Sequence, residues 1–136
     1  MPGRAYAAVA AAIVALAAVA IAFLVTTESD SRECRDAARD ILLVRQGKLD
    51  DSRLRPAVAR LREGCTDSDA PAQAAVNLIG MKRRGDALAL ARDVVRDEPE
   101  NYRTWLVLSA ALPADRRAEI RSARERAREL NPALPR

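Results

Sequence analysis

Cys34 and Cys65 are the only thiols in the chain, and few other residues suggest reaction chemistry. No histidine occurs in 136 residues, which removes His-based triads, most zinc sites and the usual general base together. The two cysteines do not form a Cys-x-x-Cys pair, and nothing beside them signals a lowered thiol pKa. A structural use is expected first. A thiol oxidoreductase stays as an alternative, and it requires a Cys34–Cys65 bond that mild reductant opens in the folded protein. No enzyme activity, cofactor or metal is expected. The net charge of +4 is spread over 23 basic and 19 acidic groups, without the one-signed stripe that nucleic-acid binding needs.

The elements that must position the thiols are legible in the apolar spacing. Cys34, Ala37, Ile41 and Val44 recur every three or four residues, which predicts one buried helix face. Leu54, Ala57, Val58, Leu61 and Cys65 predict a second. Gln46-Gly47-Lys48-Leu49-Asp50 separates the two as a turn, and Pro56 falls in a first helical turn, where backbone N–H groups lack intrahelical partners. Cys34 stands about as far before this turn as Cys65 stands after it. In an antiparallel hairpin both thiols then meet on inward faces. Outside a membrane such a pair is expected to oxidise, adding about 3–4 kcal/mol by loop closure. The alternative is two small buried hydrophobes with free thiols.

Further along, a repeat organises the chain. Ala87, Ala91, Val94 and Pro99 are followed, each 33 positions later, by Ile120, Arg124, Ala127 and Pro132. Between the two sets lies Trp105-x2-Leu108-Ser109-x2-Leu112. Such a period, with small residues at helix contacts and a proline ending each unit, signals stacked helical hairpins. The pattern resembles the tetratricopeptide repeat (TPR). The resemblance covers Ser68 to Pro132, and Ser31 to Cys65 as a degenerate unit in which Leu54, Val58 and Leu61 repeat the spacing of Ala87, Ala91 and Val94. It implies that Ala75, Ala87, Ala91, Val94, Pro99, Trp105, Leu108, Ser109, Ile120, Ala127 and Pro132 serve packing within and between repeats. Pro71 fills the family's tryptophan-like position, behind an Asp/Ser cluster that can cap its helix. Gly85 marks the next turn, with Asp86 as a cap. Arg124 replaces an apolar residue. With Arg116, Arg117, Arg121 and Arg128 it either wets the outer side of the last helix or forms a patch for an acidic partner or anionic lipid headgroups.

Modules of this family hold peptides along the concave face made by their first helices. Transferred to this chain, that face offers Gln73, Asn77, Arg84, Tyr102, Arg103 and Leu106 as candidate partner-binding residues. The Lys and Asn set with which some members clamp a carboxylate is not present.

At the N-terminus, Ala5 to Val25 carries no charge, glycine or proline. As a helix it rises about 30 Å, enough to cross the hydrocarbon core. Residues 1–25 are therefore expected to be a membrane anchor, with a cleaved signal peptide as the alternative. Arg4 precedes it and Glu28 and Asp30 follow, which predicts a cytoplasmic N-terminus. Residues 26–31 read as a polar tether, 32–132 as the helical domain and 133–136 as a tail. The expected molecule is an all-α, single-pass bacterial envelope protein with a short right-handed TPR-like solenoid of about three hairpins outside the membrane. It is expected to bind another protein or peptide as an adaptor or assembly factor. The alternative is a structural protein that associates with copies of itself.

Overall fold

A computed structural model describes residues 15–16, 30–65 and 68–135. The described residues are all-helical. Apart from residues 15–16 the expected anchor lies outside them, as does most of the tether, and no helix among the described residues is long and apolar enough to cross a membrane.

Helix α1 occupies residues 30–45, so Asp30 and Ser31, expected in the tether, are already helical. Its buried stripe is Cys34, Ala37, Ala38, Ile41 and Val44. Gly47 ends it in the left-handed region (φ +70°), where the missing Cβ removes the steric cost. That geometry lets Lys48 N–H reach Leu43 O at 2.8 Å and Gly47 N–H reach Val44 O at 2.9 Å, satisfying carbonyls the helix leaves open. Asp50 then starts a short 3-10 turn, Asp51–Arg53, its carboxylate accepting from Ser52 N–H at 2.8 Å. Helix α2, Leu54–Gly64, follows directly and buries Leu54, Ala57, Val58 and Leu61.

The second hairpin pairs α3, Asp69–Gly80, with α4, Arg84–Asp97. Its turn differs from the expectation at Gly85. Lys82 takes the left-handed conformation (φ 61°), Lys82 N–H bonds Ile79 O at 3.0 Å, and Arg83 N–H bonds Leu78 O at 2.9 Å. The same closure that Gly47 makes after α1 is made here by a lysine, and Gly85 falls inside the first turn of α4. Neither Ser68 nor Arg83, at the N-caps of α3 and α4, makes a side-chain capping bond. Asp86 lies in the first turn of α4, where a carboxylate favours the positive end of the helix.

The third hairpin consists of α5, Tyr102–Ala111, and α6, Arg117–Leu130. Asn101 caps α5 by accepting from Arg103 N–H at 3.1 Å. Pro113 to Arg116 makes the turn, closed by Arg116 N–H to Pro113 O at 3.0 Å.

Each hairpin packs on the next. Helix α2 lies against α3 and α4, and α5 lies against α3 and α4, whereas α2 reaches neither α5 nor α6. This nearest-neighbour arrangement is that of a helical repeat. Ala74, Ala75, Ala87 and Ala91 have no exposure, and their small side chains allow helix axes to approach closely around Ile41, Leu78 and Leu90. Each of those three larger side chains contributes about 1.5–3 kcal/mol by leaving water.

Positions 33 apart show what stacking does. Leu61, Val94 and Ala127 are buried in all three hairpins. Leu54 and Val58 of α2 and Ala87 and Ala91 of α4 are also buried, each pair facing a following hairpin. Their equivalents in α6 are Ile120, half-buried, and Arg124, exposed. No described element follows to cover them.

Candidate binding face

Cys34 and Cys65 form a disulfide with a Cα–Cα separation of 5.8 Å. It joins the start of α1 to the end of α2, and at the other end of the hairpin Arg53 of the 3-10 turn pairs with Asp40 of α1 at 3.5 Å. Cys34 is almost fully buried. The staple holds α1 as one wall of a face completed by α3 and α5.

Two grooves run along that face, one on each side of α3. The first, about 420 Å³, lies between Arg35, Arg39 and Leu42 of α1 and Ala70, Gln73 and Asn77 of α3. The second, about 470 Å³, lies between Gln73 and Val76 of α3 and Arg103, Thr104 and Val107 of α5. Asp69 and Gln73 border both. Leu42 at 37% exposure and Val76 at 44% stand out because large apolar side chains elsewhere in these hairpins are mostly covered. The two are 34 positions apart and occupy equivalent places on α1 and α3. Arg35 and Arg39 make no ion pair among the described residues, while Glu33, Asp36 and Asp40 of α1 lie on its opposite side in a groove shared with α2. This face therefore combines exposed apolar side chains with the Arg35 and Arg39 guanidinium groups and with the Asp69 carboxylate that borders both grooves.

The expected partner-binding residues divide. Gln73, Asn77 and Arg103 line the two grooves. Asn77 is 2% exposed, and its Oδ1 accepts from Arg45 Nη1 at 2.9 Å. Arg45 can reach it because Gly80 has no Cβ; one placed there would lie 3.0 Å from the guanidinium carbon. Asn77 Nδ2 is buried with no acceptor among the described residues. Arg84 is exposed at the start of α4, away from both grooves. Leu106 lies elsewhere, in a groove of about 350 Å³ with Arg124, Arg128, Leu134 and Pro135 at the far end of the molecule. Tyr102 is half-buried beside Arg103, whose Nε donates to its Oη at 3.4 Å and whose guanidinium lies 5.9 Å from its ring centre. The hydrogen bond and charge of Arg103 push the Tyr102 phenol below its ordinary value. Spacing did not single out Leu42, Val76, Arg35 or Arg39. For Leu42 and Val76 the signal was an apolar residue breaking the polar side of an otherwise regular helix, while Arg35 and Arg39 gave none among the other charges of α1.

The expected packing residues are distributed as follows. Ala75, Ala87, Ala91, Val94, Ser109 and Ala127 are buried, Trp105, Leu108 and Ile120 are half-buried, and Pro99 and Pro132 are exposed. Trp105 Nε1 donates to Pro99 O at 2.8 Å, fixing the indole across the junction between second and third hairpins. Thr104 Oγ1 bonds the carbonyls of Glu98 at 3.1 Å and Asn101 at 2.7 Å at the same junction. Among the described residues no group of three or more His, Cys, Asp or Glu side chains is placed to share a metal ion.

No family model, no curated protein and no solved structure matches the chain.

Proposed function

We propose that this chain is a non-catalytic binding module of TPR type, a right-handed solenoid held outside a bacterial membrane by an N-terminal helix. It retains another protein or peptide as an adaptor or assembly factor. The observation that carries the reading is the α1–α3–α5 face, where Leu42 and Val76 stand exposed between Arg35, Arg39 and Arg103. An apolar side chain exposed in a groove gains when a ligand covers it, and an unpaired guanidinium beside it selects carboxylates. A disulfide on the first hairpin suits a module outside the cytoplasm.

The test is co-purification from cross-linked cells through a C-terminal tag, comparing the natural chain with Val76→Glu. Val76 is exposed, so the variant keeps its helical circular dichroism. Loss of a desolvated apolar contact and the added charge beside Asp69 lower partner recovery at least about tenfold, equivalent to about 1.4 kcal/mol. Equal recovery with both chains would remove this face from the function.

A further inference from the structure

The two ends of the stack carry opposite charge at the positions that its internal junctions use for contact. On the side of α3 facing the first hairpin, Ala70 and Ala74 are buried, and Thr104 of α5, 34 positions after Ala70, is buried in the same way. The frame is fixed by Ile41 and Val44, which match Ala75 and Leu78, all buried. In α1 the equivalents of Ala70 and Ala74 are Asp36, exposed, and Asp40, half-buried. They lie with Glu33 along a groove of about 300 Å³ floored by Ala37, Pro56 and Ala57. At the other end, the side of α6 that would face a following hairpin presents Ile120 and Arg124, continued by Arg117, Arg121 and Arg128 at helical spacing. None of these four arginines makes an ion pair among the described residues, whereas their neighbours Arg116 and Arg126 pair with Glu119 and Glu129.

We propose that copies of this chain dock end to end, the Glu33–Asp36–Asp40 side of α1 in one copy seating on the Arg121–Arg124–Arg128 side of α6 in the next. Both sets extend over seven residue steps, about 10 Å of helix rise, so the two rows of charge match in length. The incoming α1 takes the place relative to α6 that α5 takes relative to α4, and Leu106, Leu134 and Pro135 meet the apolar floor made by Ala37, Pro56 and Ala57. Arg53 and Arg60 hold Asp40 and Glu33 in the single chain through partly exposed pairs, with Asp40 and Arg60 half-buried, and these pairs exchange for intermolecular ones. Such a contact joins two different surfaces and leaves one of each free, so it propagates rather than stopping at a dimer. This surface is separate from the α1–α3–α5 face.

The test is the mass of the full chain in detergent, followed over a range of concentrations at low and high salt. In ~50 mM salt the mass rises with concentration beyond a dimer, and ~500 mM salt weakens association at least tenfold because the contact is between charges. Arg124→Glu and Asp40→Arg each abolish the rise while keeping helical circular dichroism, and the two together restore it. Val76→Glu leaves it unchanged, so failure here is distinct from failure of the groove. A monomer at every concentration, or association indifferent to salt and to both swaps, overturns the proposal.

Discussion

Asn101 joins the second and third hairpins through both ends of one amide. Its Oδ1 caps α5, and its Nδ2 donates to Glu98 Oε2 at 2.8 Å. That bond, with a smaller contribution from the Ser68 hydroxyl, holds the Glu98 carboxyl below the usual glutamate range. A depressed carboxyl pKa stabilises the fold fully above the unfolded value of about 4.3, and the contribution disappears as pH falls through the lower folded value. Glu98→Gln is therefore expected to cost stability at pH 7 and almost none once both states are protonated, as measured by urea unfolding across that range. Asn101→Ala loses the cap as well and costs about 1 kcal/mol at pH 7. Lys82 illustrates the opposite case. A non-glycine residue at φ 61° bears about 1–2 kcal/mol of backbone cost, and glycine there gives back about half through greater freedom in the unfolded chain. Lys82→Gly is expected to raise stability by about 0.5–1 kcal/mol in the same unfolding measurement.

Helices are where the sequence was most legible, and for a physical reason. Cys34, Ala37, Ile41 and Val44 are periodic because one side of α1 is buried, and burial is what the structure needs from them. The Cys34–Cys65 meeting followed from two such stripes and one turn. The turn at Lys82 was not legible, because the left-handed position there is set by the closing bonds to Leu78 and Ile79 and not by residue type. Glycine at 85 pointed three residues too far along. Nor could spacing separate Leu106 from Gln73, since which side of α5 meets a neighbour depends on how the hairpins stack. The staple itself makes an element-scale prediction. Replacing both cysteines by alanine is expected to lower unfolding free energy by about 3–4 kcal/mol, loosening α1 against α2 before α5 against α6. Hydrogen exchange resolved along the chain distinguishes that order from uniform weakening.

At the scale of the whole molecule, stacking explains both what is covered and what is left open. Internal junctions use Val58, Ala70, Ala74 and Ala91, all buried, whereas the free ends carry Asp36 and Arg124 at the corresponding places. Between the ends, α1, α3 and α5 present Leu42, Val76 and Val107 beside Arg35, Arg39 and Arg103. In the proposed reading the side of the stack takes a ligand and its two ends take neighbours. The most direct measurement on the first of these uses are photo-cross-links formed in intact cells from a reactive amino acid replacing Gln73, with Arg92, exposed on α4, as the control position. If the α1–α3–α5 face holds a partner, Gln73 yields one dominant adduct with a different protein, and Val76→Glu removes it, while Arg92 yields none. The same adduct from both positions, or one at Gln73 that survives Val76→Glu, would contradict a ligand seated on that face.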